Sequence, residues 1–472
     1  MTASRLAPVP AAVTRRRLQP LRTRGPVRLA ACALLCLLGG AGSSVQAQSL
    51  TQAVAQALKT NPRVTGAQTA ALAVSHDITS AQSQMNARYG LILEPGFGYV
   101  RGAGNQSSGD LGVQAIKPVY DSGRTDNEVA RQRARLSGAN QQLEAARAEI
   151  ALEVANAYVE VVKQEQLAAL AQDYVSGIAA LNSRVEEIVK LDRGRGYDLL
   201  QTQSRLQQAR LTQASRDGTL QEARSTLAQF VGQPVRQPSE PPAPQPMPQS
   251  LEQAMAALDM HPAVMSGRAE VEAARRAAAV AQAWDKPAFS VRGRVNSPEY
   301  PLGNRQWFGG YDIGVVTDWN PFDGGAGEAR AAAAAAQVLA TADVAAATRR
   351  DLETEVARHW TQMESRAART GSLDALVEGA RKVRAAYWEQ FQIGKRSILD
   401  LLNAENETYQ SRLSAATERL ELVQVRYRLL GSLAGLTAYL GIEPAIPVPE
   451  PGQAAPVSPV NPGGLPALPA LR

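Results

Sequence analysis

VYDSGR (119–124) and PFDGGAG (321–327) set an aromatic residue, an aspartate, a small residue and a glycine in the same order at two points of a 472-residue chain. Each follows a strand-like run and precedes a very long helix-like run. YGLILEPGFGYVRG (89–102) and LGVQAIKPVYD (111–121) lead into the first, AFSVRGRV (288–295) and YDIGVVTDWNPFD (311–323) into the second. Their alternation and their aromatic and β-branched content predict strands, and the Gly, Asn, Ser and Pro residues between them predict loops. Downstream the intervals agree: 121 to 198 and 323 to 400 are both 77 residues, ending on Asp198 and Asp400 in the similar words GYDLLQTQSRL and ILDLLNAENETY. An interval kept over that distance implies an element of fixed length. At the helical rise, roughly 70 residues make a rod about 105 Å long.

The rest of the chain repeats in step. SLTQAVAQALKTNPRV from Ser49 is matched by SLEQAMAALDMHPAV from Ser250, and Asn61-Pro62 and His261-Pro262 close the matching helical openings. Within the first long tract Leu167, Leu170, Tyr174, Ile178, Leu181, Val185 and Ile188 step by threes and fours. Leu167, Tyr174, Leu181 and Ile188 are also seven apart, the seam of a coiled coil. Val356, Trp360, Met363, Ala367 and Thr370 repeat this more weakly, and the small residues of Ala329–Thr348 favour helix and close helix approach. Breaks at LDRGRGYD (191–198) and QIGKRSILD (392–400) turn the chain back toward Gly232 and Gly441, each followed shortly by proline. From Asp198 to Gly232 is 34 residues and from Asp400 to Gly441 is 41, so the second return arm is expected to carry two extra turns.

The first 47 residues are read as a cleaved export signal. Arg15, Arg16, Arg17, Arg22, Arg24 and Arg28 precede the apolar Leu29–Gly42, and Val45 and Ala47 offer small residues before cleavage at Gln48. Leu29-Ala30-Ala31-Cys32 looks like a lipoprotein box but lacks an apolar run before it. The signal holds seven arginines and no acid, so the formal charge of +6 becomes 43 basic against 44 acidic residues, −1, after cleavage. The basic balance gives no argument for nucleic acid. Cys32 and Cys36 leave with the signal, which removes disulfides from the mature chain. No apolar stretch of about 18 residues follows Ala47, so a membrane role is expected to fall to strands. Four strands leave open edges in hydrocarbon, whereas three chains of four close a barrel of about twelve.

The signal, the SLxxAxxxALxxNP opening, strand pairs ending in (Y/F)-D-(S/G)-G and two long helical hairpins, in this order from Ser49 to Pro444, resemble the TolC-like outer-membrane factor family. The resemblance implies a mainly α fold with a small β part: a tandem repeat of strand pair plus coiled-coil hairpin. Three copies would form a 12-stranded outer-membrane β-barrel continued by an α-helical barrel in the periplasm of a Gram-negative bacterium. It implies a homotrimer that docks on a periplasmic adaptor and an inner-membrane ABC transporter or other pump, with exported cargo and the lipid bilayer as further partners and no cofactor. SILDLLNAENETYQSRLSAATERLELVQVRYRLLGSLAGLTAYLGIEP (397–444) looks most like members serving type I protein secretion, though drug- and metal-efflux subfamilies share most of these words. The expected division is 1–47 signal, 48–230 first repeat, 231–249 Pro-rich linker, 250–444 second repeat and 445–472 Pro-rich tail. A periplasmic coiled-coil adaptor is the competing class, but an adaptor has one hairpin flanked by split β-domains.

At the two junctions, Asp121 and Asp323 are expected to cap the long helices, Gly123, Gly324 and Gly325 to supply the sharp turn, and Tyr120 and Phe322 to anchor at the inner membrane face. Trp307, Phe308 and Tyr311 are candidates for an aromatic girdle. By family position the periplasmic constriction falls on Asp400 and Asn403, and the contacts holding it closed on Asp198, Phe391 and Arg396. Phe391 stands where efflux relatives have tyrosine and cannot donate a hydrogen bond, which implies a looser latch. The plain alternative is that Asp198 and Asp400 cap their return helices. Lys190, Arg193, Arg195 and Lys395 at the tips are candidate adaptor contacts or simply solvated charges. His76, His261 and His359 stand apart, and neither a GxSxG elbow nor a phosphate loop is present, so the chain offers no catalytic or metal-binding constellation.

Overall fold

The computed structural model describes residues 49–100, 104–235, 238–296 and 310–452. The expected export signal, Trp307, Phe308 and the residues from 453 lie outside them. Two helices, α1 (Leu50–Thr60) and α2 (Pro62–Ser83), lead into strands β1 (Arg88–Val100) and β2 (Gly104–Tyr120). The long α3 (Arg124–Leu191) and its return α4 (Gly196–Val231) complete the first repeat. The second runs α5 (Leu251–Ala257), α6 (Pro262–Gln282), β3 (Ala288–Asn296), β4 (Gly310–Asp318), α7 (Ala326–Gln392), α8 (Ile398–Ser432) and α9 (Leu436–Tyr439).

The openings fold as they do because their caps are written in. Ser49 forms a reciprocal capping box with Gln52, and Ser250 accepts from the Gln253 N–H at 3.1 Å. Asn61 and His261 end one helix and cap the next, each accepting from the N–H two residues on, with proline at the first helical position. α3 and α7 contain 68 and 67 residues, so each rod is about 100 Å long at the helical rise. The seam of α3 is buried at Leu167, Tyr174, Ile178, Leu181 and Val185, where it meets α4 and α8. The expected two extra turns of the second return do not form. α8 ends at Ser432, Ala434 adopts a left-handed φ of 53°, and the surplus residues make the separate short α9. A helix of seven more residues would carry Leu436 and Leu440 away from the core cluster that buries them.

That cluster gathers α1, the middle of α3, the end of α4 and the end of α8 around Tyr158 and Tyr427, both fully buried. Their hydroxyls donate to the backbone carbonyls of Ser239 and Pro242, at 2.9 and 2.6 Å, which pins the proline-rich connection between the repeats. After α9 the chain runs extended along α3. Arg147 donates to the Glu443 carbonyl, Asn140 makes a two-way backbone pair with Val448 at 3.2 and 3.0 Å, and Arg133 meets Glu450 at 3.0 Å.

The four strands form one antiparallel sheet in the order β1-β2-β3-β4. β2 pairs with β3 across the repeats, Val113 opposite Val295 and Ile116 opposite Arg292. Period-two alternation puts Tyr89, Leu91, Leu93, Val113, Val295, Tyr311, Ile313 and Val315 on one face, where all are exposed. Arg88, Gln114, Arg292, Arg294 and Asp312 take the other. β1 and β4 are open edges among the described residues. A long apolar sheet with two free edges is a template for pairing with another chain.

One helix among the described residues, Ala326–Gln392, is apolar enough by composition to cross a membrane, with an 18-residue window of mean hydropathy 1.3 of which nothing is buried. This differs from the sequence expectation. The alanines of Ala329–Thr348 supply the hydropathy, one small methyl at a time, without any run of large apolar residues.

Candidate functional site: junctions and hairpin tips

Both junctions are built from two consecutive left-handed residues. Ser122 and Gly123 have φ of 59° and 78°, and Gly324 and Gly325 have 72° and 90°. Glycine carries the strain at three of the four positions. At the fourth, the Ser122 hydroxyl donates to the Pro287 carbonyl at 2.7 Å. Asp121 accepts from the Gly123 and Thr125 N–H groups at 3.1 and 2.7 Å, so its carboxylate serves the free helix end from two residues before the cap. The capping residues themselves are Gly123 and Gly325, which bring no side-chain bond. Hydrogen bonding from the Gly327 N–H, helped by Arg330 at 2.9 Å, holds the Asp323 carboxyl below the usual carboxylate range.

Arg124 ties the first junction to the turn between α6 and β3, donating to the carbonyls of Ala283 and Lys286, each at 2.6 Å. Trp284 lies directly over Gly327, where a Cβ would fall 2.1 Å from its ring. Tyr120 rests against Phe289 with centroids 6.1 Å apart, while Phe322 is exposed. Sequence reasoning missed Arg124 and Trp284. The small residue at 327 was the only signal of the second.

At the far end of the rods, the α3–α4 turn is a single 3-10 turn over Arg193–Arg195, set by Asp192 accepting from the Gly194 N–H at 3.0 Å. Arg195 then bonds Asp198 through Nε at 2.9 Å and Nη2 at 2.8 Å. The α7–α8 turn uses Gly394 at φ 73°, and Ser397 and Asp400 form a capping box. Asp198 and Asp400 both sit at the third position of their return helices. Asp400 accepts from its capping serine, whereas Asp198 accepts from the side chain of its capping arginine.

Of the residues expected to meet, Asp198 and Phe391 are joined through Arg195, which the sequence had set aside as an adaptor contact. Phe391 is 5% exposed, among Leu181, Val185, Ile398 and Leu401. The Arg195 guanidinium stands 5.6 Å from its ring centroid, a cation–π contact across the two tips. Arg396 stays within its own tip, donating to Gln390 at 3.0 Å, standing 4.3 Å over the Tyr387 ring and 3.9 Å from Asp400. Asn403 is exposed. Lys190 lies 3.8 Å from Glu186, and Arg193 and Lys395 are exposed without an ion pair among the described residues.

Above the tips α8 is tied to its neighbours by charge. Arg412 reaches Asp173 of α3 at 2.9 Å, and Glu405 takes Arg384 of α7 at 3.2 Å. Tyr174 stacks on Tyr409 at 4.6 Å and 12°. Among the described residues no group of three or more His, Cys, Asp or Glu is arranged to hold a metal ion.

Comparison with known proteins bears on both levels. Residues 254–442, most of the second repeat, match the family model described as outer membrane efflux protein. The chain is 22% identical over 415 residues to the outer membrane efflux protein BepC of Brucella suis, spanning 87% of this chain and 90% of that one. It superposes on the outer-membrane channel OprN with a TM-score of 0.72 at 20% identity, covering 82% of this chain and 90% of OprN. The open state of the MtrE outer membrane channel of Neisseria gonorrhoeae matches with a TM-score of 0.67 at 17% identity, covering 82% and 89%.

Proposed function

We propose that three copies of this chain close into an export duct, because residues 254–442 match the outer membrane efflux protein family model and the described chain shares the fold of the outer-membrane channel OprN. The observation that carries this reading is the sheet, with a solvated apolar face, a polar face and two unpaired edges. Three such sheets joined edge to edge make a twelve-stranded barrel in the outer membrane, and the rods continue it into the periplasm. Such a duct draws on an inner-membrane pump through a periplasmic adaptor. Lys190, Arg193 and Lys395 at the tips are the adaptor contacts in this reading.

The periplasmic constriction is assigned to Asp400 and Asn403. Asp198, Arg195 and Phe391 hold the two tips of one copy together, and Arg396 braces the second tip. For cargo, the likeness of residues 397–444 to type I secretion members favours an unfolded polypeptide handed on by an ABC transporter. The family description and BepC favour a second reading, efflux of small solutes.

Two measurements test the duct. Membrane fractionation with heat-modified gels should place the chain in the outer membrane as a trimer, and a soluble monomer overturns the reading. In planar bilayers Asp400→Ala with Arg396→Ala should raise single-channel conductance, and unchanged conductance removes both from the gate.

A further inference from the structure

The polar face of the sheet sorts its charges by height. One rung runs Arg88–Ile116–Arg292–Gly314 and so holds two arginines and no acid. The next rung outward on the same face runs Gly90–Gln114–Arg294–Asp312, adding a third arginine across from one aspartate. Among the described residues, acids otherwise stand apart from this level. Asp318 pairs with Ala288 at the helix end, four residues along β3 from Arg292, and the register sets Glu94 opposite Asp110 six residues along β1 from Arg88. At the strand rise these offsets are about 13 and 20 Å.

Arg88 and Arg292 are exposed, and neither has an ion-pair or hydrogen-bond partner among the described residues. They lie two strand spacings apart, about 10 Å, comparable with the screening length at physiological salt. Like charges at one level of a sheet weaken it slightly, so the fold gains nothing from the pair. Their neighbours in the rung, Ile116 and Gly314, leave the guanidinium groups to whatever fills the space above them.

We propose that this rung is a second selectivity element of the duct, set in its barrel apart from the Asp400 constriction, and that it favours anionic solutes, those bearing carboxylate, sulfate or phosphate. The inference rests on the duct reading, because three copies bring two arginines each to one level, six guanidinium groups around a common lumen. Guanidinium stays charged at every physiological pH, and its planar fork matches the oxygens of these groups. Rings of basic side chains are the known physical route to anion preference in a wet pore.

The full-length protein in planar bilayers under a potassium chloride gradient gives the test. The chloride-to-potassium permeability ratio should fall about two- to fivefold in Arg88→Gln/Arg292→Gln and be kept in Arg88→Lys/Arg292→Lys. Citrate should slow potassium chloride current through the wild type more than through the glutamine pair. Trimeric channels of unaltered ratio in the glutamine pair overturn the proposal and leave the duct intact. The absence of conductance from every form, wild type included, overturns the duct and the selectivity element with it.

Discussion

His359 makes the described fold sensitive to mild acid. It is 3% exposed on α7, beside Arg358, whose Nη2 lies 3.2 Å from its Nε2. An arginine can only donate, so Nε2 accepts and the proton of the neutral ring sits on Nδ1, which is buried without a partner. Burial first, then the charges of Arg358 and of Arg428 on α8, push its pKa down from 6.5 to about 4. Arg428 is fixed in place by Asn156 of α3 at 3.3 Å, so the second cation does not swing away. The folded ring binds a proton less readily than the unfolded one. Stability from this site is therefore complete above pH 6.5, falls as the pH drops from 6.5 to 4, and levels off below. A depression of this size is worth about 3 kcal/mol per chain at its full extent. His359→Leu removes the titration and keeps an apolar filling. Unfolding free energies of wild type and variant, from guanidinium titrations between pH 7 and pH 4, should show the wild type losing about 3 kcal/mol relative to the variant as the pH falls. Carboxylates and the other histidines cancel in that subtraction. A difference that stays flat between pH 6.5 and 4 refutes the reasoning.

Two further experiments probe the places where the repeats lock together. Gly327→Ala sets a methyl 2.1 Å from the Trp284 ring, and the forced shift at the strand-to-helix turn should cost about 1–3 kcal/mol, read as a lower melting temperature; an unchanged one shows that Trp284 has another place to go. At the tips, a double-mutant cycle of Arg195→Gln and Phe391→Leu should return a coupling of about 0.5–1 kcal/mol, and additive single effects mean the contact carries no energy.

The duplicated words were enough to give the rods, their turning points and the strand pairs, because each is set by local chemistry: caps, prolines, glycines and a seven-residue seam. What stayed hidden was partnership between segments far apart in the chain. Arg195 looked like a free tip charge because nothing near it in sequence announces Phe391, almost two hundred residues away. The aspartate motif pointed to the junctions, yet Arg124 and Trp284, which fasten the two junctions to the turn between α6 and β3, belong to no periodic pattern. The fate of the longer second return was illegible for a similar reason. Heptad arithmetic permits two extra turns, and only the buried places waiting for Leu436 and Leu440 decide against them.

The 77-residue interval acquires its meaning in the same way. It runs from the aspartate that serves the start of each rod to the third residue of each return helix. α3 is one residue longer than α7, a difference of about 1.5 Å in length. The turns absorb it, one through the 3-10 turn at Arg193–Arg195 and the other through the left-handed Gly394. Both tips therefore end at one level, which is the condition for Arg195 of the first to stand over Phe391 of the second. Were one rod a heptad shorter, its tip would lie about 10 Å higher and the contact could not form. The duplication kept two lengths equal, and that equality lets two hairpins of one chain close on each other.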